Sequence, residues 1–210
     1  MREIFTIGHS VYPINKFIEL LNDFKINCII DVRSVPFSKY AFQYNINELK
    51  ICLNNSGIYY IYMGKEFGAR QSDKSLFASD GYVDFNKIKK QVGFLKGMER
   101  VKTGLKKGYI LAFMCTEKDP INCHRNILVA KAFYDEGFEI KNIHENGDIE
   151  TQHQLEQRLL NFYFPSRKQK TLSEIFNGEK TEQELINECY RLRNKEIAYR
   201  EATDEEVHVI

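Results

Sequence analysis

The chain has 210 residues, of which 43% are hydrophobic and 28% are charged, and its formal net charge is +1. This composition is typical of a globular domain with a sizeable core, and it excludes a low-complexity chain. The small net charge neither requires nor excludes a polyanionic partner. No apolar stretch approaches the length that crosses a bilayer, so we expect no membrane association.

The cysteines and the first residues indicate the compartment. Five cysteines, an odd number scattered along the chain, are typical of a reducing environment rather than of a secreted disulfide framework. Met1-Arg2-Glu3 leads directly into a short apolar run, without the longer apolar stretch of a signal peptide. We therefore expect a cytoplasmic protein.

Five short apolar runs predict the strands of a sheet. They occupy residues 4–7, 28–32, 58–63, 109–114 and 138–143. The run at 28–32 shows no alternation of apolar and polar residues, as expected of a central parallel strand that is covered on both faces.

Helical periods separate these runs and begin near residues 14, 45, 85 and 122. The third period has an apolar stripe of Phe85, Ile88, Val92 and Leu95, and the fourth covers residues 122–134. Residues 64–84 are predicted to form a long loop, which in a compact domain is usually functional or mobile. The resulting order, β-α-β-α-β-loop-α-β-α-β, predicts an α/β fold with a parallel, doubly wound sheet.

The composition changes after Gly147. We expect an amphipathic helix at 152–164, a basic linker at 166–170, and two further helices that begin at the capping boxes Thr171-x-x-Glu174 and Thr181-x-x-Glu184. The predicted organisation is an α/β domain at 1–150 and a helical C-terminal appendage at 151–210, which packs on that domain or projects from it.

Reactive side chains follow the predicted strand ends. They are His9 after the first strand, Asp31, Arg33 and Ser34 at the second, Arg70 after the third, and Cys115 and Glu117 after the fourth. Ligands of open α/β sheets bind outside the carboxyl ends of the strands. This distribution therefore predicts a functional site at that edge.

The segment at 114–125, MCTEKDPINCHR, is the densest part of this pattern. Asn122 is a predicted N-cap, so Cys123, His124 and Arg125 would fall in the first turn of a helix. The free N–H groups and the helix dipole attract an anion there, and Arg125 adds a guanidinium fork for phosphate or carboxylate. The same surroundings favour a lowered pKa for a thiol.

These residues resemble the DUF488 family, a set of microbial proteins named for having no assigned function. The matching motifs are Thr6-Ile7-Gly8-His9-Ser10, Asp31-Val32-Arg33-Ser34-x-Pro36 with Ser38-Lys39, Gly64-x-x-x-Gly68-x-Arg70, and Met114-Cys115-x-Glu117-x-x-Pro120-x-x-Cys123-His124-Arg125. The resemblance covers roughly residues 3–165 and closes with the region of His144 and Gly147. It implies a Rossmann-like α/β fold with a site at these motifs, and it implies no reaction.

The favoured interpretation is an enzyme that acts on a phosphate-bearing substrate, a nucleotide or a nucleic acid. The residues assigned to catalysis are Asp31, Cys115, Glu117 and His9. The residues assigned to substrate binding are Arg33, Ser34, Arg70, Cys123, His124 and Arg125. Cys115 is either a nucleophile or a wall of the pocket, and Arg125 follows it too late for the Cys-x5-Arg spacing of cysteine phosphatases. The alternative is a non-catalytic module that binds or senses a nucleotide or nucleic acid.

A metal site is a further alternative, because Cys115, Cys123, His124 and His9 offer ligands for zinc or iron. The spacing of the two cysteines is far from that of a CxxC knuckle. Neighbours on a helix diverge by about 100°, so Cys123 and His124 are not expected to face one ion. We therefore assign no metal ligands, and the sequence defines neither a cofactor nor an oligomeric state.

Nucleic-acid contact is suggested by two groups of basic residues. The first is Lys87, Lys89, Lys90, Lys96, Arg100, Lys102, Lys106 and Lys107, and the second is Arg167, Lys168 and Lys170. Such runs are more often solvated faces than binding surfaces. The aromatic residues available for base stacking are Tyr40, Phe42, Tyr44, Tyr59, Tyr60 and Tyr62.

Overall fold

A computed structural model of the chain describes residues 3–165 and 180–200. The strands are β1 (Glu3–Gly8), β2 (Cys28–Asp31), β3 (Tyr59–Tyr62), β4 (Leu111–Cys115), β5 (Glu139–Ile143) and β6 (Ile149–Thr151). The α-helices within these residues are α1 (Ile14–Asp23), α2 (Ile46–Asn55), α3 (Gly64–Phe67), α4 (Phe85–Ile88), α5 (Val92–Lys106), α6 (Lys131–Asp135), α7 (Gln152–Tyr163) and α8 (Glu182–Ile197). Short 3-10 turns lie at Phe42–Tyr44, Lys74–Leu76 and Pro120–Asn122, and a π-helical segment lies at Arg125–Ala130.

The six strands form one sheet in the order β3-β2-β4-β1-β5-β6. β1 to β5 run parallel, and β6 pairs antiparallel to β5, so the predicted α/β fold with a mainly parallel sheet is confirmed. The order differs from the Rossmann order, 3-2-1-4-5-6, because β4 lies between β1 and β2. The carboxyl ends of β1, β2 and β4 are consequently neighbours, with Gly8 opposite Cys115 and Asp31 opposite Met114.

Each face of the sheet carries a hydrophobic core. Alternate residues of a strand point to opposite faces, and in β2 Ile29 joins one core while Ile30 joins the other. The first core packs α1 and α2 against the sheet. The second packs α5 and the helices that follow β4 against the opposite face. Burial of each large apolar side chain stabilises the fold by about 1.5–3 kcal/mol.

The predicted apolar stripe at residues 85–95 is wrong in its second half. Val92 and Leu95 are 66% and 49% exposed, and α5 instead buries Phe94 and Met98. The break between α4 and α5 resets the helical phase, which a single continuous period cannot represent. The predicted loop at 64–84 contains α3 and a 3-10 turn.

The helices after residue 150 pack into the same core as the sheet. Leu155 and Leu159 of α7 and Ile186 and Cys189 of α8 belong to the cluster that covers β4. Asn194 of α8 also accepts a hydrogen bond from the backbone N–H of Phe85, at 3.0 Å. The division into two domains at residue 150 stays a prediction. The predicted basic linker at 166–170 and the helix expected from Thr171 lie outside the described residues.

Within 3–165 and 180–200, the helices are too short or too polar to span a bilayer. β6 escaped prediction because three residues give too short a pattern to distinguish a strand from a turn.

Gly8 sets how closely β1 approaches the segment after β4. A Cβ atom at this position would lie 1.9 Å from the carbonyl oxygen of Glu117 and 3.2 Å from Nη1 of Arg125. We predict that Gly8→Ala lowers the free energy of unfolding by about 3 kcal/mol, because the backbone must move to relieve the clash. Chemical denaturation followed by circular dichroism measures this loss.

Gly93→Ala is the matched control. An added Cβ there meets nothing within 4 Å, and the residue lies in the first turn of α5. We expect this variant to be as stable as the parent or more stable by up to about 1 kcal/mol. Equal stability of the Gly8 and Gly93 variants would contradict the close approach described for β1.

Candidate functional site

A cleft of about 270 Å³ opens at the carboxyl ends of the strands. Its lining consists of Arg33, Ser34, Val35, Ala69, Arg70, Cys115, Thr116, Glu117, His124, Ile197 and Tyr199. Six predicted site residues therefore border one space. A larger cavity of about 510 Å³ lies between β3 and α5, but its lining is mostly apolar and includes none of the predicted site residues. The smaller cleft is the better candidate because chemistry needs the polar groups.

Cys115, Glu117, Cys123 and His124 form a compact group of side chains at one wall of this cleft, here called the Cys-Glu-Cys-His cluster. The sulfur atoms of Cys115 and Cys123 lie 3.1 and 2.9 Å from the same oxygen, Oε2 of Glu117. Nδ1 of His124 lies 3.8 Å from Sγ of Cys115. Both cysteines are buried, whereas Glu117 is exposed and His124 is partly exposed.

The ring orientation of His124 is set by the backbone of the strand-end segment after β2. Nε2 of His124 lies 2.9 Å from the carbonyl oxygen of Val32. Because a carbonyl oxygen only accepts hydrogen bonds, Nε2 must carry the hydrogen. In the neutral ring Nδ1 therefore has a free lone pair, and this lone pair is on the side of Cys115.

The local backbone explains why Cys123 and His124 reach the same place. Asp119 caps a 3-10 turn that starts at Pro120, and Cys123 follows with extended backbone angles of φ −135° and ψ 134°. Helical geometry begins only at His124. The predicted start of the helix at Asn122 is thus wrong. The 100° divergence between neighbouring residues of a helix therefore does not apply to Cys123 and His124, and the two side chains can face one ion.

Arg125 lies beneath the cluster and is fully buried. Its guanidinium donates hydrogen bonds to the carbonyl oxygens of Glu117 and Lys118, and its Nε lies 3.4 Å from the hydroxyl of Thr6. Its backbone N–H points to Sγ of Cys123 at 3.4 Å. The first backbone N–H of this helix is thus directed at a sulfur atom of the protein rather than at the cleft. The Arg125 side chain fixes the backbone segment that carries Glu117.

Asp31 and Arg33 form a buried ion pair behind the cleft. Arg33 contacts the Asp31 carboxylate through Nε at 2.9 Å and Nη2 at 2.6 Å, and Nη2 also donates to the carbonyl oxygen of Tyr44. The hydroxyl of Tyr60 donates to the same carboxylate at 2.7 Å. Asp31 is fully buried and does not line the cleft.

His9 completes this network and is also fully buried. Its Nδ1 lies 2.7 Å from the carbonyl oxygen of Ser10, so Nδ1 carries the hydrogen and Nε2 accepts from Nη1 of Arg33 at 3.2 Å. Burial and the charge of Arg33 lower the pKa of His9 to about 4, so the ring is neutral at neutral pH. Both ring nitrogens are engaged, and the ring stacks on Tyr44 at 4.0 Å.

Arg70 and Ser34 also line the cleft. The backbone N–H of Arg70 donates to the Ser34 hydroxyl at 2.9 Å, and the exposed guanidinium lies 5.7 Å from the ring centre of Tyr199. No ion pair of Arg70 occurs among residues 3–165 and 180–200. Arg33 retains one of its five N–H groups after the contacts above.

The acidic groups of the cluster influence one another. Burial alone raises the pKa of Cys123, but the hydrogen bond with Cys115 and the charge of Arg125 hold it well below the usual value for a thiol. Burial and the neighbouring Cys123 raise the pKa of Cys115. Glu117 is exposed as a residue, but desolvation of its carboxylate group against these sulfur atoms, together with Cys123, raises its pKa. Burial lowers the pKa of His124, yet the contact with Cys123 raises it above its usual value overall. Negative charge therefore concentrates on Cys123.

Three contributors to the site were not assigned from the sequence. Tyr60 and Tyr44 support the ion pair, whereas the sequence suggests only base stacking for them. Tyr199 lies just after α8 and reaches the cleft from the far end of the described chain. No local pattern marks such a residue, because its role depends on how α8 packs.

Removal of the Asp31 charge should destabilise the fold strongly. Asp31→Asn leaves the buried guanidinium of Arg33 without a counter-charge, and we predict a loss of about 3–5 kcal/mol in the free energy of unfolding. Urea denaturation measures it. The control is Asp80→Asn, which breaks an exposed pair with Lys195 and should cost far less, because solvent screens such pairs. Similar losses in both variants would refute the structural role of the buried pair.

Comparison with known proteins gives one match. The family model described as "Domain of unknown function DUF488" matches residues 13–132, which is more than half of the chain and narrower than the expected resemblance. The match contains every predicted site residue except His9. No curated protein and no solved structure matches the chain. The chain belongs to the DUF488 family.

Proposed function

We propose that this protein is an enzyme that acts on a phosphate-bearing substrate in the cleft between Arg70 and the Cys-Glu-Cys-His cluster. One observation carries the proposal: cationic side chains and sulfur, imidazole and carboxylate groups line the same cleft of about 270 Å³. A binding surface alone would need only the cationic side chains.

The cationic side chains would hold the anion. Arg70 offers an exposed guanidinium that no described carboxylate neutralises, and a planar guanidinium matches two oxygens of a phosphate. Arg33 offers its remaining N–H group. The hydroxyl of Ser34 accepts from the Arg70 backbone, which leaves its own hydrogen to donate. Arg125, by contrast, is engaged below the cleft, so its proposed part is to support the cluster.

The sulfur, imidazole and carboxylate groups would supply the chemistry. Cys115, Glu117 and His124 border the cleft, and Sγ of Cys115 lies within 4 Å of an oxygen of Glu117 and of a ring nitrogen of His124. Asp31 and His9, which the sequence assigns to catalysis, have their polar atoms occupied by Arg33 and by backbone groups. We assign them the role of positioning residues that fix Arg33.

The dimensions favour a small phosphate ester over a duplex. Ligand pockets for small molecules begin near 300 Å³, so this cleft accommodates one phosphate group with part of its attached moiety. The predicted basic surface along α5 is partly neutralised, because Arg100 pairs with Glu66 and Lys102 pairs with Glu99 and Glu136. A nucleotide or a single-stranded end therefore fits better than a duplex surface.

Substitution of Arg70 tests the proposal. We predict that Arg70→Ala weakens the binding of inorganic phosphate and of 5′-mononucleotides about 10- to 100-fold, since hydrogen bonds to charged groups contribute about 1.5–3 kcal/mol. Isothermal titration calorimetry measures the dissociation constants. The fold should be unaffected because the side chain is exposed.

Arg100→Ala is the control, since this arginine is exposed and lies on α5 outside the cleft. It should bind the same ligands as the parent does. Unchanged affinity of the Arg70 variant would contradict the proposed site. Phosphate binding without turnover of any phosphate ester, in the parent and in Glu117→Gln alike, would instead indicate a non-catalytic binding module.

A further inference from the structure

We propose that the Cys-Glu-Cys-His cluster binds one divalent transition-metal ion of the zinc class at the wall of the cleft. The inference rests on the four ligand atoms and their surroundings, and it does not depend on the substrate proposed above. It revises the expectation from the sequence that the chain has no metal ligands.

The four ligand atoms converge closely enough to bind one ion after small side-chain movements. The four atoms, one each from Cys115, Glu117, Cys123 and His124, all lie within 4.8 Å of one another. In a tetrahedral zinc site, with bonds of about 2.3 Å to sulfur and about 2.0–2.2 Å to nitrogen or oxygen, neighbouring ligands lie about 3.3–3.8 Å apart. The sulfur-to-nitrogen distance of 3.8 Å fits this spacing. The sulfur-to-oxygen distances of 2.9 and 3.1 Å require the exposed Glu117 side chain to withdraw by about 0.5 Å.

The chemical types of the ligands select the class of ion. Two thiolates and an imidazole suit zinc and other soft or borderline transition metals, whereas magnesium and calcium take oxygen ligands. Burial of both sulfur atoms protects them from solvent and leaves the carboxylate of Glu117 on the cleft side. Glu117 is therefore the most exposed of the four ligands.

The surroundings hold the ligands as metal sites require. The imidazole of His124 donates through Nε2 to the carbonyl oxygen of Val32, which fixes the ring and leaves Nδ1 free for an ion. A second hydrogen-bonding partner of this kind accompanies almost all metal-binding histidines. The backbone N–H of Arg125 lies 3.4 Å from Sγ of Cys123 and supports its negative charge.

The charges also match a divalent ion. Metal binding requires the ionised forms of both thiols and of Glu117, which together carry three negative charges. The guanidinium of Arg125 is buried beside them, and none of the ion pairs between described residues includes it. The net local charge of about −2 is therefore balanced by one M²⁺ ion.

Metal titration of the full chain, freed of any affinity tag and kept reduced, tests the inference. Elemental analysis of the purified protein should find about one zinc per chain, and the chelator-treated protein should rebind Zn²⁺ with a nanomolar or lower dissociation constant. Co²⁺ in the site should show thiolate-to-cobalt charge transfer and the intense visible bands of tetrahedral coordination. A folded, reduced chain that binds no stoichiometric Zn²⁺ or Co²⁺ would overturn the inference.

Two variants assign the ligands. Cys123→Ser should abolish most of the charge-transfer intensity and weaken Zn²⁺ binding at least 100-fold, and Glu117→Gln, at an exposed position that does not threaten folding, should weaken it at least tenfold. Cys52→Ser, on α2 and outside the cluster, should bind as the parent does. Parent-like binding by both cluster variants would overturn the assignment. So would recovery of a Cys115–Cys123 disulfide whose reduced form binds no metal.

The proposed function and the proposed metal site can be refuted separately. A chain that binds Zn²⁺ through the cluster but has no affinity for phosphate would refute the proposed function and support the metal site. A chain that binds phosphate through Arg70 but binds no Zn²⁺ would support the phosphate site and refute the metal site.

Discussion

The buried guanidinium of Arg125 organises the region on which the rest of the site depends. It donates to the carbonyl oxygens of Glu117 and Lys118 from below, so the segment after β4 folds back over the sheet. This bend places the Glu117 carboxylate beside the sulfur atoms of both Cys115 and Cys123. The absence of a side chain on Gly8 lets β1 come close enough to complete the packing. One buried cation thus determines where three acidic groups meet.

The strand order supplies the second constraint. Because β4 lies between β1 and β2, Cys115 emerges between His9 and Asp31, and the polar residues of three strands share one edge. They divide into two layers. The lower layer, with Asp31, His9 and most of the Arg33 side chain, is buried and hydrogen-bonded, whereas the upper layer faces the cleft, which Arg33 reaches with its remaining N–H group. A rigid lower layer holds the upper one in place, as a site for binding or catalysis requires.

The sequence was sufficient to predict the mainly parallel sheet and the position of the candidate site. Apolar runs and the residues that follow them are local signals, so the strand ends near His9, Asp31 and Cys115 could be located from them. The roles of these residues could not. An aspartate that serves as a base and one that neutralises a buried arginine look alike in sequence, and only the hydrogen bonds around Asp31 separate the two.

The sequence pattern also does not reveal that the side chains of Cys123 and His124 converge, because their directions depend on the local backbone conformation. Extended backbone at Cys123, enforced by the turn at Pro120, turns its sulfur and the ring of His124 toward one point. Helical periodicity alone predicted that they diverge. Tyr199 had no signal at all, because it approaches the cleft only through the packing of α8. Long-range packing and a single residue of irregular backbone decide both features.

X-ray absorption spectroscopy at the zinc edge tests the central claim most directly, because it reports the atoms bound to the ion in solution. The arrangement of Cys115, Glu117, Cys123 and His124 predicts two sulfur neighbours at about 2.3 Å and two nitrogen or oxygen neighbours at about 2.0–2.2 Å. A shell of nitrogen and oxygen alone would show that the two thiols do not meet at an ion, and the account of the site would then be wrong.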